Sequence, residues 1–114
     1  MSDPRFHPRL MAVPSDRLNF GKDAEITWLD GTTELEVSRI NAARLQHDLA
    51  RKITGRLRDK GHSIRSYAAL TGIGYDRMAK VLRGEAVMRL EDVSDAERLL
   101  GEIVHPLLGE RVHN

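Results

Sequence analysis

The sequence contains no cysteine, and only 4% of its 114 residues are aromatic. Without cysteine, disulfide bonds, thiolate metal sites and cysteine nucleophiles are excluded, and a cytoplasmic location is the simplest expectation. No apolar run approaches the ~20 residues that a membrane span needs, so we expect no membrane partner. Few aromatic residues together with 31% charged residues favour a small, mostly helical protein with one core.

Motifs for catalysis and cofactor binding are also missing. The five histidines show no H-x-x-x-H spacing and no His/Asp cluster. The glycines are scattered and form neither a P-loop nor a dinucleotide-binding motif. Because no nucleophile, base or metal constellation is present, we expect no enzyme activity, no metal and no cofactor.

Positive charge is concentrated in one part of the chain. The net charge is +1, yet residues 51–89 hold 10 basic and 3 acidic residues, against 6 and 8 in residues 1–50 and 2 and 6 in residues 90–114. A run of charge is most often a solvated face, but this one coincides with a pattern of two short helices. That coincidence favours a polyanionic partner such as DNA.

The two-helix pattern begins at Ser63, whose hydroxyl suits an N-cap. The first helix is predicted over Ile64–Thr71 and ends at Gly72, where a residue without Cβ can take the left-handed conformation. A second helix is predicted over about residues 74–83, with Gly84 as its stop. Two short helices at a steep angle leave the second projecting, the shape that enters the major groove.

Small and apolar residues recur through this pattern at Ala68, Gly72, Ile73, Met78 and Val81, followed by the pair Arg83-Gly84. A further helix is predicted from Leu90 to Leu99-Leu100-Gly101. In these residues the stretch from about 45 to 104 resembles the helix-turn-helix of the lambda-repressor-like (Cro/repressor or XRE-type) DNA-binding domains. The resemblance implies a helical bundle that binds double-stranded DNA as a homodimer.

By the resemblance, the first turn and the next exposed position of the second helix contact base edges: Tyr75, Asp76, Arg77 and Lys80. The side chains suit that role, because arginine can donate two parallel hydrogen bonds to guanine and aspartate can accept from cytosine. In the alternative interpretation, Asp76 only pairs with Lys80 one helical turn along. The candidates for phosphate contacts are Ser63, Arg65, Arg83, Arg56, Arg58 and Lys60.

The N-terminal residues 1–22 contain three of the four prolines and are predicted to form an extended arm without regular structure. The arm is either a flexible tail or a segment that wraps a partner subunit. In a third interpretation the arm contacts the DNA phosphates through Arg5, Arg9 or Arg17.

Residues 23–38 are predicted to form a β-hairpin, because Asp30-Gly31 is a strong two-residue turn signal and the flanking residues alternate. The apolar face of this ribbon carries Ile26, Trp28, Leu35 and Val37. A two-stranded ribbon must pack on something, here either on the chain's own helices or on a second subunit. Ser38 is predicted to cap the next helix, from about Arg39 to Asp59 or Lys60, which Gly61 ends.

The predicted fold is therefore mainly α, a lambda-repressor-like helical bundle preceded by an arm and a hairpin. Its parts are the arm (1–22), the hairpin (23–38), the helix-turn-helix domain (39–105) and a C-terminal tail (106–114), in which Leu107 and Leu108 are further packing or dimer candidates. The predicted function is sequence-specific DNA binding by a small, homodimeric transcriptional regulator of the repressor kind. The alternative is a protein-interaction module on the same fold, an antitoxin or anti-repressor-like subunit that binds its partner through the hairpin.

Overall fold

A computed structural model describes residues 6–104 of the chain. It contains two 3₁₀ helices, Pro8–Met11 and Pro14–Asn19, and then α1 (Glu34–Lys60), α2 (Ile64–Thr71), α3 (Tyr75–Arg83) and α4 (Leu90–Leu100). The prediction of a mainly helical chain is confirmed, and the predicted β-hairpin at 23–38 is wrong. None of the helices in this described range is both long and apolar enough to cross a membrane.

The region predicted as the second strand of the hairpin forms the first turn of α1. Thr33 is the N-cap: its hydroxyl accepts the N–H of Glu36 at 3.1 Å, and the Glu36 carboxylate accepts the N–H of Thr33 at 3.2 Å. Glu34 and Glu36 place negative charge at the positive end of the helix dipole. Hydrogen bonds to this carboxylate, led by that from the Thr32 N–H, lower the pKa of Glu36. Ser38, predicted as the cap, therefore lies inside α1.

The region predicted as the first strand pairs with the N-terminal segment. Trp28 and Ala12 form an isolated antiparallel bridge. Trp28 is half-buried and packs against the core of its own chain. None of the residues predicted to form the second strand packs against that core. Two backbone hydrogen bonds flank the bridge: Val13 N–H to Thr27 O at 2.9 Å, and Leu29 N–H to Met11 O at 2.8 Å.

The core brings all four α-helices and the N-terminal segment together. α1 ends at Lys60 and Gly61 follows with φ 73°, so the predicted C-terminal end of this helix is confirmed. The predicted bounds of α2 and α4 are likewise confirmed. The buried apolar cluster consists of Phe20, Ala50, Ile53, Leu57, Tyr67, Ala68, Met78, Leu82, Ala96, Leu100 and Ile103.

The N-terminal segment, described over residues 6–22, forms two 3₁₀ helices and contacts the α-helices through the first of them and through Phe20, whereas the sequence predicted an extended arm. Pro8 and Pro14 each begin a 3₁₀ helix, where the fixed φ and the missing N–H of proline are tolerated. Phe20 is buried in the core, and the Arg9 N–H donates to the carbonyl of Gly84 at 3.0 Å. Residues 8–20 thus fix the end of α3. Residues 1–5, including Arg5, lie outside the described range.

Buried His47 joins α1 to this segment. Its Nδ1 accepts the N–H of Gly21 at 2.9 Å, so the ring must be unprotonated at that atom. The rings of Phe20 and Trp28 pack against it, with centroids 5.4 and 5.9 Å away. Burial lowers the pKa of His47 from 6.5; the charge of Arg51 acts in the same direction, and nearby carboxylates oppose it. Folding therefore favours the neutral imidazole.

We expect acid to loosen the protein through His47. Because the pKa is lower in the folded chain than in the unfolded one, the stabilisation is complete above pH 6.5 and is lost as pH falls through the folded pKa. Urea denaturation should give a lower free energy of unfolding at pH 5 than at pH 7.5. That difference should shrink in His47→Gln and persist in the matched control His62→Gln. An unchanged pH dependence in His47→Gln would contradict this role.

Two side chains fix the segments that follow α3 and α4. Buried Gln46 on α1 donates to the carbonyls of Val81 and Ala86 at 3.0 and 2.9 Å and accepts the N–H of Met88 at 2.8 Å. The Glu97 carboxylate accepts two further backbone N–H groups, and these hydrogen bonds lower the pKa of Glu97. They come from Val104 at 2.7 Å and Ile103 at 2.8 Å. The predicted tail at 106–114, with Leu107 and Leu108, lies outside the described residues.

Candidate nucleic-acid interface

The two central helices and their turn are fixed by local contacts. At the start of α2, the Ser63 hydroxyl accepts the N–H of Ser66 at 3.0 Å and the Ser66 hydroxyl accepts the N–H of Ser63 at 3.1 Å. At its end, Gly72 has φ 79° and donates its N–H to the carbonyl of Ala68. The Ile73 N–H then donates to the Thr71 hydroxyl. These contacts redirect the chain into α3 within three residues.

Helix α3 has one face in the core and one in solvent. Gly74 is its N-cap, and Gly84, with φ 78°, ends it. Its buried residues are Met78, Ala79, Val81 and Leu82, and its exposed residues are Tyr75, Asp76, Lys80 and Arg83. The prediction from periodicity that Met78, Val81 and Leu82 face the core and Tyr75, Asp76 and Lys80 face solvent is confirmed.

Three of the four predicted base-contacting residues lie side by side on the exposed face, at the first turn of α3 and the turn after it. Tyr75 is 39% exposed. No ion pair joins Asp76 to Lys80 within residues 6–104, although the two are one helical turn apart. The structure therefore leaves the carboxylate of Asp76 and the ammonium of Lys80 accessible to a ligand.

The fourth predicted base-contacting residue, Arg77, is directed into the fold. Its Nη2 donates to Oδ2 of Asp92 at 3.0 Å and to the carbonyl of Val87 at 3.3 Å. Asp92 is buried near the start of α4, and the same Oδ2 accepts the N–H of Arg89 at 2.8 Å. Arg77 thus ties α3 to the loop after it and to α4, which is a positioning role.

We expect Arg77→Ala to lower the free energy of unfolding by about 1.5–3 kcal/mol, because buried Asp92 loses a charged hydrogen-bond partner. The matched control is Arg83→Ala, an exposed arginine of the same helix, whose loss should cost under about 1 kcal/mol. Urea denaturation without DNA measures both. Equal losses in the two variants would contradict the positioning role of Arg77.

Three predicted phosphate-contacting residues lie at the N-cap of α2, on α2 and on α3. Ser63 is engaged as the cap of α2. Arg65 lies over the ring of Tyr75, with 4.2 Å from its Cζ to the ring centroid. Arg83 donates to Glu85 at 2.6 Å; this hydrogen bond raises the pKa of Arg83 and lowers that of Glu85. The cations of this group lie at opposite ends of α3.

The other three predicted phosphate-contacting residues belong to the C-terminal half of α1. Arg56 donates to the carbonyl of Leu100 at 3.2 Å, and Arg58 lies 3.9 Å from a carboxylate oxygen of Asp23. Lys60, the last residue of α1, is exposed and lies three residues before the cap of α2. The structure therefore directs Arg56 and Arg58 to partners away from α3 and leaves Lys60 next to α2 in the chain.

The residues predicted as one hairpin face are separated. Ile26 and Trp28 are half-buried, whereas Leu35 and Val37 are exposed in the first turn of α1. Further along, exposed Leu45 lines an apolar groove of 170 Å³ between α1 and the start of α4. The other apolar side chains of this groove are Phe6, Ala42, Leu49, Val87, Met88, Leu90 and Val93.

A polar cleft beside α3 was not predicted from the sequence. The cleft has a volume of 520 Å³ and is lined in part by Phe6 and His7 of the N-terminal segment. Arg77 and Lys80 of α3, Glu85 and Arg89, the residue before α4, also line it, so cations from two helical regions share one cleft. Phe6 and Arg89 are 83 residues apart in the chain, so no local sequence pattern would have predicted this arrangement.

Comparisons of the chain with protein-family models, with curated proteins and with solved structures found no match. Within residues 6–104, no group of three or more histidine, cysteine, aspartate or glutamate side chains is placed to hold a metal ion.

Proposed function

We propose that this chain is a lambda-repressor-like helix-turn-helix protein that binds double-stranded DNA sequence-specifically. In this proposal α3 enters the major groove, and the chain acts as a small transcriptional regulator in homodimeric form. Base contacts come from Tyr75, Asp76 and Lys80, and the N-terminal end of α2 approaches a phosphate. Arg77 supports the interface from behind through Asp92.

One observation carries the proposal: α3 is an amphipathic helix with one face buried and an exposed face whose ionic groups are not paired with each other. Asp76 and Lys80 are the unpaired groups, and Arg65 adds a further cation beside Tyr75. Charged side chains that are exposed and unpaired next to a helix N-terminus suit contacts with base edges and phosphates. The excess of basic residues in 51–89 supports the same partner.

The test is fluorescence anisotropy of the protein with a labelled random-sequence duplex at several salt concentrations. We expect log affinity to fall linearly with log salt, because phosphate contacts release counterions, with a slope of about −0.9 per contact. Lys80→Glu should weaken binding, whereas Lys52→Glu, on α1 and directed to the carbonyl of Ile103, should change it much less. No binding even at low salt would overturn the proposal.

Binding as a homodimer predicts a symmetry of the DNA site. Selection from randomised duplexes should yield two-fold symmetric sites whose halves lie about one helical turn, ~34 Å, apart. Sedimentation with and without the selected duplex would count the chains bound. If a single chain binds an asymmetric site, the proposed DNA binding stands and the proposed homodimer is contradicted.

The exposed apolar residues favour a second candidate, a protein-interaction module on the same fold. Leu45 is 60% exposed and Leu90 is 86% exposed, and both line the apolar groove between α1 and α4. Contiguous exposed apolar patches mark sites of protein–protein interaction or ligand binding. In this candidate the partner contacts α1 and α4, since the hairpin proposed for that role does not form. Absence of DNA binding at low salt would favour it.

A further inference from the structure

Arg65 and Tyr75 come from different helices and meet at the exposed N-terminal end of α3. Arg65 is in the first turn of α2, and Tyr75 is the first residue of α3. The Cζ of Arg65 lies over the tyrosine ring, 4.2 Å from its centroid, which is a close cation–π contact.

The edge of the Arg65 guanidinium is unoccupied in the described part of the chain. Its contact there is with the ring face of Tyr75, and no carboxylate or carbonyl of residues 6–104 accepts a hydrogen bond from it. A guanidinium is planar and carries five N–H donors in its own plane. Contact with the ring face therefore restricts the orientation of the Arg65 guanidinium and leaves its N–H donors free for a ligand.

We propose that Arg65 and Tyr75 act as one base-reading unit, in which the ring of Tyr75 holds the Arg65 guanidinium for a bidentate contact with guanine. This inference rests on the proposed DNA binding and names a base that the interface reads. It changes two assignments made from the sequence, in which Arg65 contacted phosphate and Arg77 contacted guanine.

The position of the pair favours a base over a phosphate. The N-terminal residues of a recognition helix are those that meet base edges, and Tyr75 is the first residue of α3. A guanidinium held on that ring enters the groove with the helix. Two parallel N–H donors in a fixed plane match the O6 and N7 acceptors of guanine, and a phosphate contact needs no fixed plane.

The contacts of the other cations on α3 support the same assignment. Arg77 donates to Asp92 and Val87, and Arg83 donates to Glu85 at the far end of the helix. Lys80 is accessible but has a single ammonium, which lacks the two parallel donors of arginine. Arg65 is therefore the arginine whose donors are both free and next to the first turn of α3.

The test compares Arg65→Lys with the parent chain on the selected duplex and on its single-base-pair replacements, measured by anisotropy. Lysine keeps the charge that a phosphate contact needs but loses the bidentate fork. We expect discrimination to fall by roughly 5- to 150-fold at one G·C pair and to stay unchanged at the others. Arg51→Lys, which alters an arginine paired with Asp23 and Asp48, is the matched control and should leave every preference intact.

Two further measurements examine the parts of the unit. Replacing the affected guanine by 7-deazaguanine removes the N7 acceptor, so it should weaken the parent chain and have little further effect on Arg65→Lys. Tyr75→Phe keeps the ring and should keep the preference at that G·C pair, whereas Tyr75→Leu should lose it. Thermal melting of each variant confirms that it is folded.

The outcomes separate this inference from the proposed function. If Arg65→Lys binds every duplex as the parent does, or loses affinity equally on all of them, then Arg65 contacts phosphate and the base-reading unit is wrong. The proposed DNA binding would survive either result. If the parent chain binds no duplex at any salt concentration, both proposals are overturned.

Discussion

Replacing Gly84 by alanine is expected to lower the free energy of unfolding by about 2–5 kcal/mol. The residue has φ 78°, and a left-handed conformation costs an alanine about 1–2 kcal/mol. A Cβ at Gly84 would also lie 2.8 Å from the ring of Phe20 and 3.0 Å from Cβ of Arg9. Both neighbours are held in place, Phe20 by the core and Arg9 by its hydrogen bond to Gly84, so overpacking adds about 1–3 kcal/mol.

Gly72→Ala is the matched control, because Gly72 has φ 79° and a Cβ there would have nothing within 4 Å. It should lose only the conformational part, about 1–2 kcal/mol. The difference between the two variants in urea denaturation therefore measures how closely the N-terminal segment packs against the end of α3. Equal losses would mean that Phe20 and Arg9 do not approach Gly84 in solution.

Replacing Gln46 by leucine should cost about 2–4 kcal/mol although the side chains are similar in size. The variant would leave the N–H of Met88 without its acceptor and would remove a donor from the carbonyls of Val81 and Ala86. Each buried polar group left unpaired costs about 1–3 kcal/mol, and the Val81 carbonyl keeps the N–H of Gly84. The loop after α3 would lose its attachment to α1.

Asn41→Leu controls for the change from amide to apolar side chain, because Asn41 is exposed on the same helix and should change stability by less than about 0.5 kcal/mol. Chemical denaturation gives both values, and amide hydrogen exchange of residues 84–88 should accelerate only in Gln46→Leu. A Gln46→Leu variant as stable as the parent would show that these three hydrogen bonds are not needed.

Features with local causes were predictable from the sequence. Ser63 begins α2 and Gly72 ends it, and Gly61 ends α1. These ends were predictable because an N-cap, and a helix end with a left-handed glycine, depend on residues within one turn of each other. The burial pattern of α3 likewise follows from its own periodicity.

The failed hairpin shows two local signals in competition. Asp30-Gly31 and the alternation around it favour a turn between strands, but Thr33 followed three residues later by Glu36 is a capping box. In the structure the capping box starts α1 at Glu34, and Trp28 pairs with Ala12 instead. A strand needs a partner, and the partner here comes from a distant part of the sequence.

The contacts that the sequence did not reveal are long-range ones. His47 binds Gly21 across 26 residues, and Gln46 binds the loop after α3 across up to 42 residues. Arg77 is half-way between the buried and exposed faces of α3, and its periodicity alone does not show whether it turns to solvent or to Asp92, 15 residues later. The sequence was sufficient to predict that the candidate base-contacting residues share one face of a helix. It was not sufficient to predict which of them are exposed and which is directed into the fold.

The most direct test of DNA binding through α3 is an amide chemical-shift titration of the ¹⁵N-labelled protein with duplex DNA. We expect the largest changes at residues 63–66 and 74–80, the start of α2 and of α3, with little change at residues 34–45 in the exposed part of α1. Changes confined to residues 34–45, with α3 unaffected, would contradict DNA binding through α3.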